Sequence, residues 1–468
     1  MFKKFRINTG WVFTIATGIM LICPGLVQDG MFMDGQQYAC VAKQLADGNG
    51  TFWFPHLSAT WTKAGSSFFM EHPPLVYGIQ SFYFYVFGSS LYTERIYDFS
   101  ILILSTILIL QIWVSIFREN EALKKLSWLP VLLWLIIPVN FWAFQHNIHE
   151  LTLSFFALGA VLGWIKHIQS NKIWSWYLFI SVGCLLGSFL CKGIVGLFPI
   201  IVGCLYVILK LESWKRLMIS SLIYVVLFFV VAMLLLLDQQ AYESLSYYIK
   251  ERLWYRVNEE PVVNNRWIII GQLALNLAPL ILLAAISYSY IKIKKLNWKY
   301  PEMQWFILIG LSASVPLILT HVQRNFYLVP SLPYFAISCA FFIVPLVHYL
   351  NKKPWDKLKK IVQTISLCFL LIALAVTAFS IGKTKRDHLL LQDVYQIGQI
   401  VPENSVVEVS KTLVENWPLQ MYLIRYFNIA LTSSTEEADF YLTEKSVSFK
   451  NDKKLINDNL NYYQLFKK

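Results

Sequence analysis

The chain alternates long apolar stretches with short polar connectors that are mostly basic. A helix needs about 20 mostly apolar residues to cross the hydrocarbon core of a bilayer. Eleven stretches meet that need, near 9–28, 95–116, 127–144, 150–167, 174–191, 193–209, 216–237, 267–290, 303–320, 326–349 and 361–382. Runs such as Ile101–Leu110 and Val225–Leu237 lack the apolar/polar alternation of a membrane β-barrel, and helices are the other way to satisfy a backbone in lipid. A further apolar segment, 73–87, is 15 residues long, opens with two prolines and is rich in Tyr and Phe. It is too short to span and is expected as a helix lying in the membrane interface.

Two regions depart from this pattern. The stretch 28–92 is a long polar and aromatic loop, and no span remains after residue 382. In the tail, strands are expected at 406–410 and 440–443 and a helix at 418–426. The expected fold class is therefore an all-α polytopic membrane protein with a small C-terminal extracytoplasmic α/β domain. Residues 1–382 form the transmembrane domain, with the first outer loop and interfacial helices at 28–92, and residues 383–468 form the small domain. No internal repeat is visible.

Composition sharpens this reading. Hydrophobic residues make up 56% of the 468 residues and charged ones 15%, against roughly 25% charged in soluble domains. A net charge of +12 could suggest nucleic acid as a partner, but the charges lie between the spans, where cytoplasmic loops collect Lys and Arg. With a cytoplasmic N-terminus, the inner connectors hold twenty Lys and Arg and the outer ones through residue 326 hold nine. The basic Met1–Arg6 segment leads into an apolar run that ends at Pro24 and Gly25 without a small-residue cleavage site, and reads as a retained first span. An odd number of spans then places the tail outside. Six of the seven Cys fall in apolar stretches and Cys40 stands alone in the first loop, so neither a disulfide framework nor a metal-ligand spacing is present.

The candidate chemistry gathers at the outer helix ends. Asp34 of Met33–Tyr38 sits before a helical pattern, where it could cap the helix or act as a general base. Glu71 and His72 precede Pro73 and Pro74, again either a cap or a site. The connector Gln145–Glu150, between two spans, holds His146, His149 and Glu150, either a satisfied helix-end network or a site. Lys192 joins two apolar helices almost without a loop. A charge at such a place marks a functional site or snorkels to the surface. Lys250, Arg252 and Arg256 alternate with Tyr247, Tyr248, Trp254 and Tyr255, a pattern suited to an anionic lipid head group. Arg324 and Tyr327 put a cation and a phenol at another outer helix end. Cations would stabilise charge on a departing phosphate, and a carboxylate would accept a proton.

These short motifs, in this order, resemble the GT-C glycosyltransferases of the protein O-mannosyltransferase and lipid A aminoarabinose transferase type, over about residues 10–350. The family's Asp-Glu-x-x-Tyr motif reads Asp34-Gly35-Gln36-Gln37-Tyr38, with Gly35 at the second acidic position. Its acidic-x-Pro-Pro-Leu motif reads Glu71–Leu75, with His72 where a Lys often stands. A later acidic residue corresponds to Glu150, the Thr-Lys-Gly turn to Cys191-Lys192-Gly193, and the Arg-x-x-Tyr-Leu-x-Pro-x-x-Pro motif to Arg324, Tyr327, Leu328, Pro330 and Pro333. The resemblance implies transfer of a sugar from a polyprenyl-phosphate donor, with inversion, to a lipid, protein or glycan acceptor on the outer face. Asp34, Glu71 and Glu150 would be the catalytic acids. Tyr38, His72, His149, Lys192, Arg252, Arg256, Arg324 and Tyr327 would bind substrate. No cofactor beyond the lipid-linked donor is implied, and no metal. A transporter or flippase of lipid-linked glycans is the main rival, but it predicts charges near the bilayer midplane, and here they gather at helix ends.

Overall fold

The computed structural model describes residues 8–58, 68–209, 214–253, 262–296, 300–433, 438–446 and 454–468. Its longer helices, in chain order, are α1 (Thr9–Leu26), α2 (Met33–Ala46), α3 (Leu75–Phe87), α4 (Thr93–Ile116), α5 (Trp128–Leu135), α6 (Pro138–Ala143), α7 (His149–Gln169), α8 (Trp176–Lys192), α9 (Val202–Ile208), α10 (Trp214–Leu235), α11 (Gln239–Tyr247), α12 (Ile268–Ile293), α13 (Pro301–Ser314), α14 (Leu332–Asn351), α15 (Asp356–Ser380), α16 (His388–Ile400) and α17 (Trp417–Phe427). The protein is a polytopic, mostly helical membrane protein with a small C-terminal α/β region.

Among the described residues, nine helical stretches are long and apolar enough to cross a membrane, against eleven expected. Two local events account for the difference. The expected span 127–144 breaks at Ile137, whose backbone turns extended (φ −72°, ψ 123°) before Pro138. Proline disfavours helix in the residue before it. The result is α5 and α6, of 8 and 6 residues, neither long enough to cross alone. The expected spans 174–191 and 193–209 fall within one stretch, Trp176–Ile208, but the chain doubles back inside it. Ser188 Oγ donates to Gly196 O at 2.8 Å, whereas residues eight apart on a continuous helix are separated by roughly 12 Å. The two limbs are a hairpin.

By internal contacts the chain divides into two units. The first comprises 1–24, 99–145 and 149–381 and carries most of the spans. Its most enclosed stretches, His149–Gln169 and Asn325–Asn351, are 72% and 78% buried and are among the least hydropathic. Its most peripheral helix, α15, is 11% buried and more hydropathic. Polar groups are thus withdrawn from lipid and apolar ones turned toward it, as a hydrocarbon solvent requires.

The second unit comprises 25–98, 146–148 and 382–468. Its sheet has strands β1 (Val406–Val409), β2 (Ala430–Thr432), β3 (Phe440–Glu444), β4 (Lys454–Asn457) and β5 (Tyr463–Lys467), in the order β2-β1-β3-β5-β4. β2, β1 and β3 run parallel, and β5 is antiparallel to β3 and β4. Helix α17 makes the crossover from β1 to β2, as a parallel pair demands. Val407, Val409, Leu431, Leu442 and Leu465 pack with α16 and α17 in the core. A second cluster joins Tyr38, Val41, Leu57, Phe69 and Tyr77 to Met421 and Ile424 of α17. The first loop is therefore folded, as α2 and α3, onto the C-terminal helix within one unit.

Candidate active site

In the second unit, α2 begins at Met33, one residue before Asp34. The residue at its N-cap is Phe32, with no side-chain cap bond. The capping role for Asp34 is thereby corrected: the half-buried Asp34 lies in the first turn, where the helix dipole favours a negative charge. Tyr38 stands one turn further along the same face. Its hydroxyl is 3.5 Å from His72 Nε2, with the rings edge to face. Helix α3 starts at Leu75 and has Pro74 at its N-cap without a side-chain bond, so capping by Glu71 or His72 is corrected too. His72 is buried and Glu71 half-buried.

The connector just before His149 holds this helix start in place. Asn147 adopts the left-handed region (φ 50°). Its amide donates to Gly35 O at 2.9 Å and exchanges bonds with Gln80, and its backbone N–H donates to the buried Asp98 at 2.9 Å. His146 Nδ1 accepts the Phe32 N–H at 3.1 Å. Burial, then the nearby Lys385, Arg386 and Arg95, lowers the His146 pKa to about 3, so the ring is neutral with its proton on Nε2. Gly35 lies so close to this loop that a Cβ there would stand 2.0 Å from His146 O. The second acidic residue of the family motif has no room in this chain. The run of charges at the start of α4, Glu94, Arg95 and Asp98, ahead of a long apolar stretch was the available sequence signal.

The first unit holds the other group. Helix α7 opens with His149 and Glu150, both buried. Lys192, the last residue of α8, is 5% exposed and pairs with Glu150. Its ammonium lies over the Tyr327 ring, 4.2 Å from the centroid. Snorkelling is thus corrected: the charge is enclosed and compensated. Gly193 turns the chain at φ 68°, and Tyr248 OH donates to Lys192 O at 3.2 Å. Tyr248 begins a π-helical turn, Tyr248–Leu253, that continues α11 and carries the half-buried Arg252. Arg256 lies outside the described residues. Arg324 is exposed at the start of the turn Asn325–Ser331, and Tyr327 N–H donates back to its carbonyl at 3.0 Å. Phe326 stacks on Trp142 at 5.9 Å. The structure therefore brings Glu150, Lys192 and Tyr327 together, with His149 beside Glu150, and leaves Arg324 facing solvent a turn away. Among the described residues no group of three His, Cys, Asp or Glu could hold a metal ion.

No protein-family model and no curated protein sequence matches the chain. Solved structures do. ArnT from Cupriavidus metallidurans bound to undecaprenyl phosphate is 12% identical, with 98% of each chain covered and a TM-score of 0.66. The same protein in the apo state is 11% identical over 98% of each chain, with a TM-score of 0.63. The Archaeoglobus fulgidus oligosaccharyltransferase in the apo form is 11% identical, covering 94% of this chain and 70% of that one, at a TM-score of 0.54. Over nearly its whole length the chain has the GT-C fold of these membrane proteins, the fold its short motifs led one to expect.

Proposed function

We propose that this chain is an integral membrane glycosyltransferase. It moves a sugar from a polyprenyl-phosphate donor to a hydroxyl or phosphate of a lipid A-like lipid, a protein or a glycan, on the extracytoplasmic face, with its N-terminus in the cytoplasm. The observation that carries this reading is the likeness in fold, across 98% of both chains, to an ArnT structure bound to undecaprenyl phosphate.

The residues supply the rest of the argument. The reaction is a single displacement. An acceptor oxygen forms a bond to the anomeric carbon as the bond to the donor phosphate breaks on the opposite face, which inverts the centre. The acceptor's proton passes to Asp34, in the first turn of α2. Negative charge develops on the departing lipid phosphate, and preorganised cations stabilise it. Arg324 is exposed at its helix end, so it is the cation best able to meet the phosphate, with Tyr327 beside it. Lys192 is held by Glu150 and acts from behind the Tyr327 ring. Arg252 and Arg256 are further phosphate contacts. Glu71 and His149 are further substrate contacts, and Tyr38 with His72 orients the acceptor.

The test is transfer of radiolabelled sugar from a panel of polyprenyl-phosphate donors in membranes holding equal amounts of each variant. Asp34→Asn is expected to lower the rate about 10²–10⁴-fold and Arg324→Ala about 10²–10³-fold. Wild-type transfer by Asp34→Asn would remove the base from that residue. If the wild type consumes none of the donors, the transferase reading falls.

A further inference from the structure

A groove of about 560 Å³ lies in the first unit between the starts of α1, α5 and α15 and the end of α14. Its floor is apolar, with Phe13, Leu358 and Val362 among its lining. Ser366 lines it too, but its hydroxyl is already bonded to Val362 O at 2.8 Å, so the floor offers no free polar group there. Trp128 and Trp355 flank it. Asn8, Asn351 and Lys359 form a polar rim at one end.

The charges outside that rim are mostly basic. The connector into α15 carries Lys352, Lys353, Lys357, Lys359 and Lys360 against the single acid Asp356. All five lysines lie at the surface, Lys353 half-buried over the Tyr349 ring at 4.9 Å. Asn8 Nδ2 donates to Lys125 O at 3.3 Å, which brings Lys125 of a second connector to the same end, next to Lys124, itself paired with Glu121. An apolar lining thus leads to indoles, amides and an ammonium group at one end, as the acyl chain of a phospholipid leads to its glycerol and phosphate. Tryptophan prefers the interfacial level, and basic pockets between spanning helices suit anionic head groups. The lining residues Leu358 and Val362 of α15 are 48% and 45% exposed, so the groove is open to the bilayer.

We propose that this groove binds one anionic glycerophospholipid from the leaflet at the basic end of the molecule, with an acyl chain on Phe13, Leu358 and Val362 and its phosphate against Lys359. The binding is independent of the transfer reaction, and its test uses no activity.

The full chain, purified in detergent and stripped of lipid, is titrated with phosphatidylglycerol or with phosphatidylcholine of the same acyl chains. Bound lipid is counted by native mass spectrometry and the thermal midpoint is followed in parallel. Phosphatidylglycerol is expected to bind at least tenfold more tightly and to raise the midpoint more. Lys359→Gln should lower its affinity about fivefold and leave phosphatidylcholine unchanged. Val362→Trp, at a lipid-facing position, should weaken both lipids by filling the floor; Leu358→Trp serves if that variant does not fold. Equal binding of the two lipids, or full phosphatidylglycerol affinity in Lys359→Gln, overturns the proposal. A lipid-independent dimer that Val362→Trp dissolves overturns it as well, by giving the groove to a second copy of the chain.

Discussion

At the scale of single residues, the buried pair Glu150–Lys192 and the ring of His146 make the sharpest claims. Lys192 and Glu150 are both nearly excluded from solvent, so neither charge is tolerated alone. Removing one partner of such a pair costs about 3–5 kcal/mol, while replacing both with apolar groups is close to neutral. Glu150→Gln and Lys192→Met should each lower stability by about that amount, and the double variant should recover most of the loss in a thermal-unfolding cycle. Additive losses would mean that the pair does not form. His146 gives a pH signature. Its folded pKa is about 3, against about 6.5 for an unfolded histidine. Above pH 6.5 both states are neutral and the contribution to stability is complete. As pH falls from 6.5 toward 3, only the unfolded state takes up the proton, so stability is lost across that window. Protonation would also set a donor against the Phe32 N–H that Nδ1 now accepts. His146→Asn, which keeps an acceptor, should flatten the fall in thermal midpoint between pH 7.5 and 5.5, and an unchanged slope would assign that fall to other groups. Lys192 was legible in the sequence because a charge between two apolar runs is conspicuous. The partner that holds it was not, since Glu150 lies 42 residues earlier and only the packing of α7 on α8 joins them. The connector Gln145–Glu150 was conspicuous too, but the part Asn147 plays in it was not: an Asn there looks like any turn residue until its left-handed backbone and three partners are seen.

Elements were easiest to read where hydropathy alone decides them and hardest where a single residue redirects the backbone. The helix at 75–87, the strands near 406 and 440 and the helix near 418 all lie within a few residues of expectation. β4 is largely exposed along its length and β2 is three residues long, so neither has a period that a sequence could reveal. Pro138 and Gly193 are the two redirecting residues. Gly193 pairs φ 68° with ψ −138°, a region open essentially only to glycine. A Cβ there would stand 2.4 Å from the Tyr248 ring. Gly193→Ala should therefore cost about 1–3 kcal/mol and disturb the Lys192 carbonyl that Tyr248 binds. The check is thermal unfolding together with the accessibility of a cysteine placed at the exposed Ile194. A wild-type midpoint in Gly193→Ala would show that the hairpin turns elsewhere.

At the scale of the whole molecule, a buried guanidinium ties the C-terminal region to the first 98 residues within the second unit. Arg425, at the end of α17, has no exposed surface. Its Nη2 donates to Glu94 Oε2 at 2.6 Å and to Ser90 O at 2.8 Å, and its guanidinium lies 4.7 Å from the centroid of Phe84. Glu94 also receives Arg95, whose other donors reach Leu91 O and Gln28 O. Burial alone would lower the Arg425 pKa, but the Glu94 carboxylate outweighs it and the net direction is up. One C-terminal side chain therefore fixes the end of α3, the connector after it and the start of α4, all of which belong to the first 98 residues. Sequence reading separates these regions because more than 300 residues lie between Glu94 and Arg425. The fold joins them because a fully buried carboxylate needs a cation that no nearer residue supplies in full. Arg425→Leu should leave Glu94 charged and under-compensated and lower stability by about 3–5 kcal/mol. The loss should show first as protease cleavage within 28–92, with the spanning helices still intact. Glu94→Gln combined with Arg425→Met should restore most of the protection. If Arg425→Leu leaves that stretch as resistant as in the wild type, the apolar contacts of Tyr38, Val41 and Tyr77 with α17 suffice to hold the first loop in place, and the ion pair is dispensable.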